Sequence, residues 1–329
     1  MIETIRKLVE TYGPSGREDQ IRDIILQEID GLADDLGIDT LGNIVAWKRS
    51  GKPDAARIML AAHMDEIGIM VAYIDEKGFL RFTNIGGLYP NTLSGNRVLF
   101  ADGTVGTIGV DAEVAATSTP KLEQMFIDVS SGKKHTFQVG DAAGLCRDLE
   151  VRGERLIAKS MDDRVGCAIQ IEVMRNLKKC PHDVAFVFSV QEEVGLRGAQ
   201  TAAYAVDPHF AIAVDVTRTG DTPNGLKMEV ALGKGPAIKI KDSRMLASPE
   251  VITLMEKAAQ AAKIPYQLEV LIQGSTDAAS MQLVRAGVRA GCLSIPCRYI
   301  HTTSETVDLN DVQNAVKLLV KLLESPVKM

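Results

Sequence analysis

Five short polar clusters carry side chains able to bind metal ions or move protons. His63 opens His-Met-Asp-Glu (63–66), and Asp162 and Asp163 lie in Lys-Ser-Met-Asp-Asp-Arg (159–164). Glu192 and Glu193 follow the apolar run Val-Ala-Phe-Val-Phe-Ser-Val, Asp215 closes Ala-Ile-Ala-Val, and His301 follows Ile-Pro-Cys-Arg-Tyr-Ile. Carboxylates crowded together repel and shift one another's protonation. A divalent cation removes that repulsion. Imidazole combined with carboxylate suits zinc and its first-row neighbours better than calcium or magnesium, which favour all-oxygen shells. One tetrahedral site leaves most of these carboxylates unused. Two metals ~3.5–4 Å apart, bridged by one carboxylate, use the whole set. Each cluster alone also has a structural reading. An Asp pair before a helix serves as a cap, a Glu pair after a strand fits a solvated loop, and a strand-end His fits a satisfied polar site. Their joint occurrence at element ends favours one shared site. His135, His182 and His209 lie in loop-like polar contexts and take the structural reading.

The elements around these clusters follow from periodicity. Ile5, Leu8, Val9 and Tyr12 share a helical face, and Ser15 with Glu18 forms a capping box for a second helix. Gly42-Asn43 between two short runs predicts a hairpin. Arg57–Ala62 reads as a buried strand, with His63 directly after it. From residue 159 helices and strands alternate. Helices are expected at 163–177, 198–205, 249–262, 277–286 and 309–323, and strands at 184–190, 210–216, 267–271 and 288–295. This is an α/β pattern with a mixed, mostly parallel sheet and flanking helices. In such sheets ligands bind beyond the carboxyl ends of the strands, where four of the five clusters fall. Residues 67–158 differ: short alternating segments separated by Gly, Asp and Asn predict a small β-barrel or sandwich. The expectation is an α/β domain of residues 1–66 plus 159–329, interrupted by an inserted β-barrel domain at 67–158.

Composition narrows the possibilities. The chain has 329 residues, 46% hydrophobic and 24% charged, the balance of an ordinary globular protein. Its formal net charge of −6 argues against nucleic acid or an anionic membrane as partner. No apolar run reaches the length of a membrane span, and the amino terminus has no signal-peptide core. The five cysteines are scattered without a CxxC pair, so they read as reduced, and the cytoplasm is the expected compartment. Aromatic residues are only 5%, with one Trp, which leaves little for a sugar-stacking platform.

In order, Ala-His-Met-Asp-Glu-Ile-Gly (62–68), Met-Asp-Asp-Arg-Val-Gly (161–166), Gln-Glu-Glu-Val-Gly-Leu-Arg-Gly-Ala (191–199), Val-Asp-Val (214–216), Ser-Thr-Asp-Ala (275–278) and Pro-Cys-Arg-Tyr-Ile-His (296–301) resemble the TET-type metalloaminopeptidases, metallopeptidase family 42. The resemblance spans essentially the whole chain and implies a zinc-exopeptidase-like fold. It implies that Asp162 bridges two divalent metals, zinc or cobalt, with manganese as an alternative. His63 and Asp215 would complete one site, and Glu193 and His301 the other. Glu192 would be the general base and acid, and Asp65 would orient the His63 ring. The Asp162–Asp163 peptide would be cis. Asp277 would line the pocket for the substrate's amino group, although a helix N-cap role fits it equally. The resemblance implies peptide substrates, dimers made through the barrel, and a tetrahedral dodecamer. Two other readings stand beside it. A two-metal deacylase or carboxypeptidase needs an Arg fork for a carboxylate, with Arg164, Arg197 and Arg298 available. An endoglucanase needs a carboxylate pair and sugar stacking, which leaves two His without a role.

Overall fold

Alternating apolar runs and amphipathic segments assemble into one large sheet covered on both faces, with a barrel beside it. The computed structural model describes residues 1–114, 118–129 and 136–327. His135 lies outside them. The strands are β1 (Asp35–Ile38), β2 (Ile44–Lys48), β3 (Arg57–His63), β4 (Gly68–Ile74), β5 (Leu80–Ile85), β6 (Arg97–Phe100), β7 (Val105–Val110), β8 (Met125–Asp128), β9 (Ala142–Leu145), β10 (Glu150–Arg152), β11 (Arg155–Ala158), β12 (Asp183–Ser189), β13 (Phe210–Thr217), β14 (Ala237–Lys241), β15 (Gln267–Val270), β16 (Arg289–Arg298) and β17 (Glu305–Asp308). The α-helices are α1 (Ile2–Glu10), α2 (Asp19–Glu28), α3 (Met161–Asn176), α4 (Arg197–Val206), α5 (Pro249–Ala262), α6 (Asp277–Gln282) and α7 (Leu309–Glu324).

The sheet runs β1-β2-β12-β3-β13-β16-β17-β11-β10, with β14 on β16 and β15 on β14. Parallel pairing joins β12, β3, β13 and β16 at the centre, and β14 to β15. The flanks are antiparallel, so the sheet is mixed. The four central strands point one way, which brings the ends carrying His63, Glu192, Asp215 and His301 to one edge. Strand β3 shows why these runs read as continuous apolar segments: Ile58, Leu60 and Ala62 enter the core under α1, α2, α3, α5 and α7. Met59 and Ala61 enter the opposite core under α4 and α6. Both faces are buried, as parallel strands require.

Strands β4-β5-β8-β7-β6-β9 close into a barrel with its own core, including Ile69, Val71, Phe82, Val98, Phe100, Ile108 and Ile127. The expected boundary at residue 158 is corrected: β10 pairs with β11, and β11 with β17, inside the large sheet. A short hairpin turning through Gly153 has the same local pattern as a barrel hairpin, so only its partner strand distinguishes them. The crossing between sheet and barrel is tied by buried charge. Glu66 accepts from the Lys159 ammonium, the Ser160 hydroxyl and the Gly13 amide, and Arg164 lies 3.8 Å away.

Local details also differ from expectation. No capping box forms at Ser15; its hydroxyl donates to Asp65 instead at 2.6 Å. Helix α2 starts at Asp19, with Glu18 accepting from the Gly16 and Gln191 amides. Helix α6 stops at Gln282, before Arg285 and Gly287, both at positive φ. All five cysteines are free.

Candidate metal centre

The strand-edge geometry gathers the expected residues into three overlapping groups: one is His63 with Glu192 and Glu193, and the other two share Asp162. His63, Asp162 and Asp215 have ligand atoms within 4.8 Å of one another, and so do Asp162, Glu193 and His301. Asp162 belongs to both. Its Oδ1 lies 3.0 Å from His63 Nε2, and its Oδ2 lies 3.5 Å from His301 Nε2. His301 Nε2 is 3.3 Å from Glu193 Oε2, and His63 Nε2 is 4.0 Å from Asp215 Oδ1. Glu192 reaches within 3.9 Å of His63 Nε2.

Neighbouring groups hold this arrangement in place. His63 Nδ1 lies 3.1 Å from the Asp65 main-chain oxygen, closer than the 3.5 Å to the Asp65 carboxylate. The Asp65 carboxylate instead accepts from Ser15 and from the amides of Glu192 and Glu193. It therefore ties the His63 strand end to the Glu192-Glu193 turn. Asp163 accepts from the His63 and Gly166 amides. The Asp162–Asp163 peptide bond is cis. Ser160, Gln191, Tyr299 and His301 all adopt positive φ, a conformation that non-glycine residues keep where surrounding structure over-determines it.

The electrostatics show a cluster short of positive charge. Burial raises the carboxyls of Glu192, Glu193 and Asp215 above the usual range. Burial also opposes ionisation of Asp162, but the two imidazoles outweigh it and hold that carboxyl well below its usual range. Burial would depress the imidazoles, yet Glu192 and Asp162 raise His63, and Glu193 and Asp162 push His301 up to about 12. Among the described residues, none of Asp162, Glu192, Glu193 and Asp215 forms an ion pair with Lys or Arg. Glu193 Oε1 is buried without a hydrogen-bond partner. An unpartnered buried carboxylate oxygen within a nitrogen and oxygen donor set fits a divalent first-row cation.

The M42 glutamyl aminopeptidase family model matches residues 42–318. The chain belongs to this family. It is 44% identical over 327 residues to a putative aminopeptidase of Acetivibrio thermocellus, covering 98% of each chain. It is 34% identical over 339 residues to the lysyl aminopeptidase of Pyrococcus furiosus, covering 98% of this chain and 96% of that one. Among solved structures, an aminopeptidase of the archaeon Desulfurococcus kamchatkensis superposes with a TM-score of 0.93 at 41% identity, over 98% and 94% of the two chains. The Pyrococcus horikoshii TET1 peptidase, described as assembling into a tetrahedron or a large octahedral shell, gives 0.86 at 31% identity over 98% of each. A Thermotoga maritima structure described as an endoglucanase gives 0.82 at 32% identity, over 97% and 96%.

For this TET-type M42 aminopeptidase, a cavity of about 350 Å³ opens onto Asp162, Glu192, Glu193, Asp215 and His301. Its other wall includes Thr217, Arg218, Arg244, Leu271 and Gln273. Asp277 is not among the lining residues. Its Oδ2 accepts from Ser189 at 2.5 Å, its Oδ1 is buried without a partner, and Thr276, not Asp277, is the N-cap of α6. All three arginines weighed for a carboxylate fork are engaged, Arg197 by the Gln191 side-chain oxygen at 3.2 Å. Arg164 donates to the main-chain oxygens of Leu8, Thr11 and Gly13, and Arg298 grips Asp221 at 2.9 and 2.7 Å.

Sequence reading missed Glu305. It accepts from the Asp162 amide at 2.9 Å and the His301 amide at 2.7 Å, joining the two halves from behind. Burial raises its carboxyl to about 8. The signal was its place four residues after His301, in a segment with no clear helical or strand period. His182 and His209 do take structural roles, with the Ser325 oxygen and the Arg57 amide respectively.

Proposed function

We propose that the chain removes amino-terminal residues from peptides with two divalent metal ions, zinc or cobalt, held by His63, Asp162, Asp215, Glu193 and His301. The observation that carries this reading is the sharing of Asp162: each of its oxygens faces a different imidazole, with a second carboxylate beside each. That leaves Glu192, a buried carboxylate that neighbours His63 and Glu193 but belongs to neither of the groups that share Asp162. Bound cations would neutralise the cluster and supply Lewis-acid activation of water and of the scissile carbonyl.

Glu192 takes the proton of the attacking water and returns it to the leaving amine. Burial among carboxylates keeps its proton affinity above that of a solvated glutamate, as a base that must also act as an acid requires. Asp65 acts through others, holding the Glu192-Glu193 amides and, by its main-chain oxygen, the His63 ring. Asp277 acts through Ser189, the last residue of β12. The substrate's free amine binds at the carboxylate-rich end of the cavity. Residues 67–149 serve as the dimerisation unit, and dimers build a tetrahedral dodecamer; the TET1 similarity supports this.

Glu192→Gln tests the assignment. Metal content stays unchanged while kcat falls by roughly 10²–10⁴-fold; near-normal turnover refutes Glu192 as the base. Comparing a free aminoacyl anilide with its N-acetyl form separates this reading from a deacylase. Only the free amine is cleaved.

A further inference from the structure

The Glu193–His301 half of the centre rests against the barrel, and the His63–Asp215 half does not. Strand β5 ends at Ile85, and the chain then passes the site as Gly86-Gly87-Leu88-Tyr89. A Cβ at Gly87 would lie 2.8 Å from His301 Nδ1, too close for a side chain. A Cβ at Gly86 would lie 3.1 Å from the Glu193 Cβ, and Gly86 has φ +72°. The Tyr89 ring lies 6.1 Å from the His301 ring, and its hydroxyl accepts from the Arg218 guanidinium. Arg218 stands three residues beyond Asp215, so the loop is moored to the sheet. Among the described residues, no hydrogen bond or ion pair joins His63 or Asp215 to the barrel. Their neighbours are Asp65, Asp162, Asp163, Cys167, Glu192 and Val216.

We infer that Gly86, Gly87 and Tyr89 are positioning residues that set the divalent-cation affinity of the Glu193–His301 half alone. The physical reason is the opposition of the two ring nitrogens. Nε2 faces the Asp162 and Glu193 oxygens, while Nδ1 lies 2.8 Å from where a Cβ on Gly87 would stand. The loop therefore sets how far the ring reaches toward the cation. Groups that orient a metal ligand from behind change affinity without touching the metal. The inference rests on the two-metal reading above.

Calorimetric titration of the metal-stripped full chain with Zn²⁺ tests it. The unaltered protein gives two binding steps. Gly87→Ala weakens one step by about tenfold or more and leaves the other within about twofold. Asp215→Asn affects the other step and leaves the Gly87-sensitive one. Tyr89→Phe adds no volume and removes only the mooring hydroxyl; it weakens the same step by a smaller factor, with an unchanged thermal midpoint. Parallel weakening of both steps in Gly87→Ala, or an unchanged step in Tyr89→Phe, overturns the inference while sparing the two-metal reading. Fewer than two steps in the unaltered protein overturns that reading as well.

Discussion

Two regions of this molecule bury carboxylates, and they solve the problem in opposite ways. Where the chain crosses between sheet and barrel, Glu66 meets the Lys159 ammonium, with the Arg164 guanidinium close by. At the strand edge, His63, Asp162, Glu192, Glu193 and Asp215 gather with a second imidazole, His301, and, among the described residues, no Lys or Arg ion pair. Both regions are buried, so burial alone does not distinguish them. The difference lies in the supply of positive charge. At the crossing it is covalent and permanent, and the carboxylate holds the fold together. At the strand edge it is left to come from outside, and the carboxylates are available for chemistry. A buried pair is costly to break because it leaves one charge uncompensated. A buried cluster without a cation is costly to keep, and that cost favours binding one.

The comparison predicts that each region fails in its own way. Asp162→Ala removes the group shared by both halves. Metal content falls, and kcat/KM drops by several kcal/mol of barrier, on the order of 10³-fold or more. Elemental analysis beside a peptide-cleavage assay checks this; full metal loading in the variant breaks the account. Lys159→Met should act on stability and not on the centre. Breaking the buried pair costs about 3–5 kcal/mol, read from the denaturant midpoint, while the folded protein keeps its metal affinity. A Lys159→Met protein of unchanged stability that loses metal would erase the distinction.

The smallest effect sharpens the contrast with a third case. Asp311 is buried outside the cluster and, among the described residues, without an ion pair; it accepts from the Gly233 and Gly235 amides, at 2.7 Å each. Burial raises its carboxyl to about 6, with those amides pulling the other way. The folded state therefore holds this proton more tightly than the unfolded chain. The resulting stability is fully present below the unfolded value near 4 and is lost as pH rises through about 6. Asp311→Asn should flatten the stability profile across that window, measured by denaturant unfolding at stepped pH. An unchanged slope would remove Asp311 as its source.

These contrasts also mark what was legible beforehand. The five polar clusters and the alternation of helices and strands are local patterns, so the edge of the sheet and its ligand groups could be read directly. Partnerships across the chain could not. Glu305 meets Asp162 across 143 residues, and Glu66 meets Lys159 across 93. Nothing in either neighbourhood marks which buried charge finds a partner. The same limit explains the hairpin Glu150–Ala158. Its residues read as a barrel pair, and only pairing of β11 with β17 assigns it to the sheet. Ser15 likewise has the spacing of a helix cap, but the Asp65 carboxylate competes for its hydroxyl and wins. Asp277 sits in a motif that suggested a pocket wall, and its carboxylate accepts from the Ser189 hydroxyl at the end of β12. Tertiary meetings decided each of these.

Anomalous diffraction from zinc-loaded crystals tests the central claim most directly. The account predicts two metal peaks flanking Asp162, one beside His63 and Asp215 and one beside Glu193 and His301, with Glu192 bound to neither. A single peak, or Glu192 as a direct ligand, would contradict it.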